Sequence, residues 1–521
     1  MKNLNGFTAK RVGVRRISGI ILLSVLVTVL PLALAGCVFF PGSDKAGPSA
    51  PGGNEFTRHD YLALLKTQEN HKVSVEELQA IVSRALDAKP EGRSVAVAGG
   101  AVTGVKKVPL GGENRFALAS AGRSLGASEE EPVEVYEFTV GGGEGFVLAS
   151  NDVRIGHVLA VAEGSLDNTG DGFAEFLQAC LEDYIAATII EYDGISGADI
   201  EAAIEALEGE AARGVGGEYN PFGAVGGRNG WKSVYIDTDF SVVKNTILLT
   251  RWGQGDVGRY NGYVYNNYVQ YVKGLQQLTG CGITAMAQII AYHNYIVPPP
   301  SVPLPAAFAN NFDLGTWGGA FDLSQIRALE AITTLSPAAA RGQVGVLMYY
   351  LGLPGIANAV YDNNGATSTN IDEVRSAFIK LGYNVTSVST ATTITGPLNN
   401  FTITHNTPLA TIKNALNLNR PIHIRGENQA GIGHAWVIDG YGAMSIYVED
   451  LVNGSQYVYR DLLLADCVMV HCNFGWDGYA DGWYVYGLFD ADRTYSALGR
   501  SASGGAANFS TFTRMFIPSK P

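Results

Sequence analysis

Cysteine is scarce in this chain. Five residues in 521, Cys37, Cys180, Cys281, Cys467 and Cys472, are too few and too scattered for a disulfide scaffold, and no CxxC pair marks a zinc or redox site. Charge is scarce as well: 16% of residues are charged, with a net value of −13 and a pI near 5.1. With no dense Lys/Arg stripe beyond the N-terminus, such a surface repels a phosphate backbone, which excludes nucleic acid as a partner. No repeat of solenoid length is visible. What is abundant is apolar: 46% of residues are hydrophobic, with 64 glycines and 25 tyrosines, enough for a large core with glycine in its turns, so wholesale disorder is excluded. A single core stops growing at about 250–300 residues, so at least two folding units are expected.

The N-terminus sets the compartment. Lys10, Arg11, Arg15 and Arg16 precede an apolar run from Ile17 to Leu34, the basic and hydrophobic regions of an export signal. The run ends in Leu34-Ala35-Gly36-Cys37, which resembles a bacterial lipobox, where the cysteine is acylated and becomes the new N-terminus. An ordinary signal peptide or one membrane anchor is the alternative, because the run is nearly long enough to span. The expectation is a lipoprotein signal over 1–36 and a Gly/Pro/Ser-rich tether over 37–55. The body then lies in the cell envelope, held at the outer membrane or cell surface by lipid on Cys37, with release after maturation left open.

Two halves with different patterning follow. From Phe56 to about Arg213 the sequence predicts short helices over Tyr61–Leu65 and Val75–Leu86, then a hairpin from Val133–Val140 through glycines to Phe146–Ser150. Helices over Phe173–Ile189 and Ala198–Ala212 close this half. Residues 214–230 are glycine-rich without apolar period and read as a protease-accessible loop. The second half, 231–521, holds the clustered Trp, Tyr, His and Gly.

That half offers each part of a thiol active site: a thiolate, an imidazole, a group to orient the imidazole, and donors for an oxyanion. Cys281 opens the helical stretch Ile283–Tyr295, where the macrodipole and N-terminal N–H groups favour the thiolate; a buried structural cysteine is the alternative. His293 cannot be its base, since twelve residues of helix span about 18 Å. His434 opens an alternating run, Ala435 to Tyr441, that reads as a central strand holding the ring rigidly. Asn473, in His471-Cys472-Asn473-Phe474-Gly475-Trp476, brings an amide oxygen that can accept from the imidazole N–H, with Trp476 as a shield from water. Gln254 supplies a side-chain amide to join the Cys281 N–H in an oxyanion hole. Taken singly, the last three have structural alternatives: a packed histidine, a glycine-rich hairpin turn and a surface glutamine.

Taken in order, the motifs resemble the streptopain-like cysteine proteases, papain-fold enzymes exported by bacteria as inactive precursors. They are LLTRWGQ at Leu248, YN at Tyr260, GCGITAMAQIIAYHNY at Gly280, VGVLMYYLGLPG at Val344, NRPIHIRG at Asn419, GHAWVIDGY at Gly433, HCNFGWDGYADGWY at His471 and a closing FIPSKP. The resemblance implies an α+β fold, with a papain-like domain of a helical side and an antiparallel sheet behind a smaller α+β propeptide. It places the family's nucleophile, base and oxyanion glutamine on Cys281, His434 and Gln254, its nearby asparagine on Asn473 and its shielding aromatic on Trp476. It also implies a propeptide over 56–213 that acts as intramolecular inhibitor, an activation loop over 214–230, a catalytic domain over 231–521, protein or peptide substrates, and no metal or organic cofactor. Two residues depart from the pattern: Phe474 stands where the family usually has Trp, and Gly282 where a side chain usually follows the cysteine.

Three competing signals carry less. Gly122-Arg123-Ser124-Leu125-Gly126 matches a serine-hydrolase turn, but Glu129-Glu130-Glu131-Pro132 follows where that fold needs a helix. Asp167–Gly172 resembles a calcium loop without its closing acid. Cys467 and Cys472 lie too near along one extended strand, facing opposite ways, to bridge. Two rival functions use the same residues: a papain-fold acyl transferase that excludes water, and an inactive envelope lipoprotein that binds partners through a vestigial cleft.

Overall fold

The structure, a computed structural model, describes residues 57–68, 70–87, 100–110, 132–166, 173–212, 231–255, 264–269, 271–272, 275–306, 317–362, 367–388, 392–395, 401–405, 409–428, 433–452, 456–489, 494–497 and 511–521. The leader, the tether, the loop at 214–230, the serine-hydrolase-like turn and the calcium-like loop lie outside them.

Helix starts in the first half are set by short polar motifs. Helix α1 (Arg58–Leu65) begins with a reciprocal box in which Asp60 N–H donates to Thr57 Oγ1 and Thr57 N–H donates to Asp60 Oδ2 at 2.8 Å. Helix α2 (Val75–Asp87) repeats it with Ser74 and Glu77. After α3 (Phe173–Gly194), helix α4 (Gly197–Ala212) uses Ser196 and Asp199. Each box satisfies donors that a helix end leaves open.

Strands β1 (Val102–Lys107), β2 (Val135–Val140), β3 (Gly145–Ser150) and β4 (Val158–Glu163) form an antiparallel meander. The expected hairpin is β2–β3; its turn runs through Gly141, Gly142 and Gly143, all at positive φ, where only glycine avoids strain. The second half contributes β5 (Trp231–Lys244), helices α5 (Cys281–His293), α6 (Ala338–Gly352) and α7 (Ile371–Lys380), strand β6 (Asn384–Val388) and α8 (Leu409–Asn417). It ends with β7 (Ile422–Asn428), β8 (Gly433–Val452), β9 (Gln456–Asn473), β10 (Gly482–Val485) and β11 (Thr511–Ser519).

One antiparallel sheet joins both halves. Its strand order is β1-β2-β3-β4-β10-β9-β8-β7-β11-β6, with β5 also paired to β8. The seam is β4 on β10, where Ala162 pairs with Gly482 and Ala160 with Tyr484. The alternation that follows His434 makes β8 a central strand, between β7 and β9.

The sheet separates two cores. On one face Ile283, Met286 and Ile290 of α5 pack with α6 and α7, and with Val437 of β8 and Phe516 of β11. On the other, Trp436 and Ile438 of β8 pack with Phe474 and Trp483 and with Tyr61, Phe176 and Leu181 of the first half. Neighbours along β8 thus point to opposite cores, as strand geometry requires. Trp436 is fully buried, and its truncation to alanine should cost about 3–5 kcal/mol. The architecture is α+β, with a helical layer against an antiparallel sheet.

Candidate active site

Cys281 is the first residue of α5, and no side chain caps that helix. Its N-cap is Gly280, at φ 91 and ψ 142. A β-carbon there would press into the side chain and carbonyl of Thr367, so glycine is required both for the backbone turn and for the close approach. Thr284 locks the turn from behind, its Oγ1 donating to Gly280 O at 3.1 Å. Cys281 as a residue is partly exposed.

His434 is the second residue of β8 and is buried. Its Nε2 lies 2.7 Å from Phe474 O; a carbonyl only accepts, so Nε2 carries a hydrogen and Nδ1 is the nitrogen free to exchange a proton. The imidazole also bonds the Cys281 thiol. Burial alone would raise the thiol pKa. The charge and hydrogen bond of His434, the charge of Arg425 and the Ala435 N–H outweigh burial and bring it from 9.0 down to about 7. Arg425 is fixed by donating to Thr369 O at 2.9 Å. Trp476 covers the imidazole with ring centroids 4.0 Å apart, and Trp436 stacks at 6.3 Å on the same strand face.

Asn473 does not touch the imidazole, and the sequence-based role of its amide oxygen is corrected here. Asn473 pairs directly with Val437 across β9 and β8, and opposite residues share a sheet face. That face is the one packed on α5, whereas His434, three residues before Val437, points to the other. The Asn473 amide instead joins a buried network. Its Oδ1 accepts from Gln288 Nε2 at 2.9 Å and its Nδ2 donates to Thr250 O at 2.7 Å, while Gln288 Oε1 accepts from the Trp252 N–H at 3.2 Å. The orienting contact belongs to the next residue's carbonyl, that of Phe474.

The network ties the 248–255 segment, which carries Gln254, to α5. Gln254 O accepts from Thr279 N at 3.1 Å, which fixes Gln254 against the two residues that lead into Cys281. His293 sits at the far end of α5, and burial there pushes its pKa down to about 4, in keeping with its exclusion as the base.

Sequence reasoning missed Gln288, Arg425 and Asp481. Gln288 had a signal, a fully buried polar residue inside an apolar helix. Arg425 lies in the NRPIHIRG motif with nothing in sequence to aim it at Cys281. Cys180 and Cys472 are buried free thiols. For Cys472 burial dominates and its pKa is raised well above the ordinary value. Among the described residues no group of three or more His, Cys, Asp or Glu side chains is placed to hold a metal ion.

The first half reaches this region. Phe176 of α3 lies against Gly426 of β7, where a β-carbon would strike its ring, and 5.9 Å from Trp436. Gly426 is the residue paired with His434, so α3 covers the strand face on which the imidazole stands.

No curated protein matches the chain. Among solved structures it is similar to a Prevotella intermedia prointerpain A fragment, with 16% identity and a TM-score of 0.39 over 75% of this chain and 96% of that one. It is also similar to the active wild-type interpain A cysteine protease of Prevotella intermedia, with 18% identity and a TM-score of 0.31 over 56% of this chain and 97% of that one. The model of the Peptidase C10 family matches residues 260–484, a span that includes Cys281, His434, Asn473 and Trp476. Over that span the chain matches the model of the Peptidase C10 family, the streptopain family, and this match supports a cysteine-type peptidase.

Proposed function

We propose that the protein is an exported endopeptidase made as a zymogen, in which Cys281 is the nucleophile and His434 its base. The Cys281 thiolate attacks a peptide carbonyl, and the C–N bond breaks as the imidazolium of His434 gives its Nδ1 proton to the leaving amine. Neutral His434 then takes a proton from water, which hydrolyses the thioester and restores the thiol. The Gln254 side-chain amide and the Cys281 N–H hold the oxyanion. Trp476 shields the imidazole, and Asn473 supports the site through Gln288 rather than by touching the ring. The observation that carries this reading is the Cys281–His434 hydrogen bond at the uncapped start of α5, with the thiol pKa near 7.

Residues 56–213 act as the propeptide, in support of which Phe176 packs against the strand partner of His434. Cleavage within 214–230 releases the catalytic part. The apolar run and Cys37 deliver the precursor to the envelope and anchor it by lipid.

The test is expression of wild type beside Cys281→Ala. The wild type is expected to lose its first half, whereas the variant accumulates as precursor and matures only when active enzyme is added. Self-processing by Cys281→Ala would overturn the assignment. Metabolic labelling with a tagged fatty acid tests the anchor: wild type incorporates label and Cys37→Ser does not.

A further inference from the structure

A buried aspartate behind the imidazole has a place in this site that neither the motif pattern nor the thiol mechanism accounts for. Asp481 ends the turn after Asn473 and is 1% exposed. Its Oδ1 accepts from the Phe474 N–H at 2.7 Å, and the Phe474 carbonyl accepts from His434 Nε2 at 2.7 Å. One residue is therefore held at its N–H by a carboxylate while its C=O holds the catalytic ring, so charge on Asp481 braces the residue that sets the tilt of His434.

The other side of Asp481 faces Arg251, whose Nε lies 3.5 Å from Oδ2. The same guanidinium bonds Glu163 through Nη2 and reaches Glu330 at 3.2 Å through Nη1. Glu163 is the last residue of β4 in the first half and is 1% exposed. Its main chain is tied to the same turn: Glu163 N–H donates to Asp481 O at 3.0 Å, and Ala480 N–H donates to Glu163 O at 2.9 Å. Two buried carboxylates thus share one arginine across the seam between the halves.

We propose that Asp481 is a positioning residue of the active site, holding the Phe474 backbone that orients His434, and that Arg251, shared with Glu163, couples this hold to the presence of the first half. The inference rests on the reading of His434 as base and of the first half as propeptide. Burial raises Asp481 to about 6, with Arg251, His471 and the Phe474 N–H pulling it down and the Glu163 charge pushing it up. These are the charged neighbours that face it, from the 248–255 segment, from β9 and from β4. Loss of Glu163 leaves Arg251 to Asp481 and the exposed Glu330, and removes the buried charge that raises Asp481, so the carboxylate is ionised over a wider pH range and the brace is firmer in the matured enzyme.

The test uses the full-length chain, processed by a trace of added active enzyme, with Asp481→Ala and Asp481→Asn. Two quantities are measured: kcat and KM on a peptide substrate, and the pH dependence of Cys281 alkylation by iodoacetamide. For Asp481→Ala the expectation is a fall in kcat on the order of 10²-fold with KM changed less than about threefold, the loss of well-placed acid–base catalysis. Its alkylation midpoint moves upward from about 7. Asp481→Asn keeps an acceptor for the Phe474 N–H and restores kcat to within about tenfold of wild type, a rescue that loss of folding alone does not produce. A folded Asp481→Ala with the kcat and alkylation midpoint of wild type overturns the positioning role. Should the alanine variant fail to fold, Asp481→Asn decides: a kcat lowered and an alkylation midpoint raised as far as in a His434 variant overturns it, because the acceptor is still present. For the coupling, Glu163→Gln is expected to shorten the precursor lifetime severalfold, and an unchanged lifetime overturns the link through Arg251. Wild-type Cys281 that alkylates only near pH 9 would instead sink the pairing with His434, a failure distinct from that of the Asp481 role.

Discussion

Helices α1, α2 and α4 of the first half close their own N-termini with Thr57, Ser74 and Ser196, whereas α5, which carries Cys281, begins on a bare glycine with no side-chain cap. The difference bears on what each helix end can do. A capped helix spends its terminal donors on itself and gains about 1 kcal/mol. An uncapped one keeps a positive end for an anion from elsewhere, here the thiolate and the oxyanion that follows it. The second half also caps where no chemistry occurs, since Asn370 Oδ1 accepts from Asp372 N–H at the start of α7. Helix α6 also starts without a side-chain cap, after Pro337, so what sets α5 apart is the cysteine at its first position together with the open N-terminus.

The largest test of this contrast removes the imidazole. His434→Ala takes away the first charge that offsets burial of the thiol, so peptidase activity is expected to fall on the order of 10³-fold or more. The alkylation midpoint of Cys281 should climb from about 7 toward the ordinary thiol value. The sign follows from the thiolate being the reactive form: in wild type reactivity rises with pH through about 7, and without the imidazolium it rises only at higher pH. Helix geometry alone would keep the midpoint low in the variant, and that result would assign the shift to the dipole. Cys472, buried and shifted the opposite way, should stay unlabelled throughout.

Next in size is Gly280→Ala. The added β-carbon meets Thr367 and the backbone is held at a positive φ, a strain of about 1–3 kcal/mol. Relief of that strain moves Cys281, and displacement of a nucleophile by about 1 Å costs up to about 10²-fold in rate. Measured kcat should therefore fall by more than the change in unfolding midpoint accounts for; equal losses would make Gly280 a folding residue only.

Gln288→Ala ranks below this. It leaves the Trp252 N–H without its side-chain acceptor and Asn473 Oδ1 with the Gly475 N–H in place of two donors, and a buried donor left unpaired costs about 1–3 kcal/mol. A lower unfolding midpoint with a modest loss of kcat is expected, measured by thermal unfolding and steady-state kinetics. A destabilisation of less than about 0.5 kcal/mol would show that water replaces the amide.

Much of this arrangement was legible in the sequence. The helices of the first half were readable because apolar periodicity acts within a few residues, and the β2–β3 hairpin because its glycines sit between alternating runs; the Ser/Thr-x-x-Asp/Glu starts that cap three of those helices were not read. Cys281 and His434 were readable because each occupies a distinctive local setting, a helix start and a strand start. Asn473 was placed correctly in the chain and wrongly in its contact: its face depends on its register with Val437 across two strands, which no local pattern fixes. Asp481 and Arg425 act on His434 and Cys281 only through long-range packing, and the seam of β4 on β10 gives no signal in either strand alone.

The smallest expected effect tests the capped side. Thr57→Ala removes the Oγ1 that accepts from Asp60 N–H and that donates to Asp60 Oδ2 at 2.7 Å, at a cost of about 1 kcal/mol. Helix α1 packs in the core shared by the two halves, so in the Cys281→Ala precursor this should appear as a small fall in unfolding midpoint. In the matured enzyme, which lacks residues 56–213 on the proposed reading, the same substitution is absent from the molecule and kcat is unchanged. A shift in kcat after maturation would mean that the first half stays bound after cleavage, and that α1 belongs to the working enzyme rather than to its precursor alone.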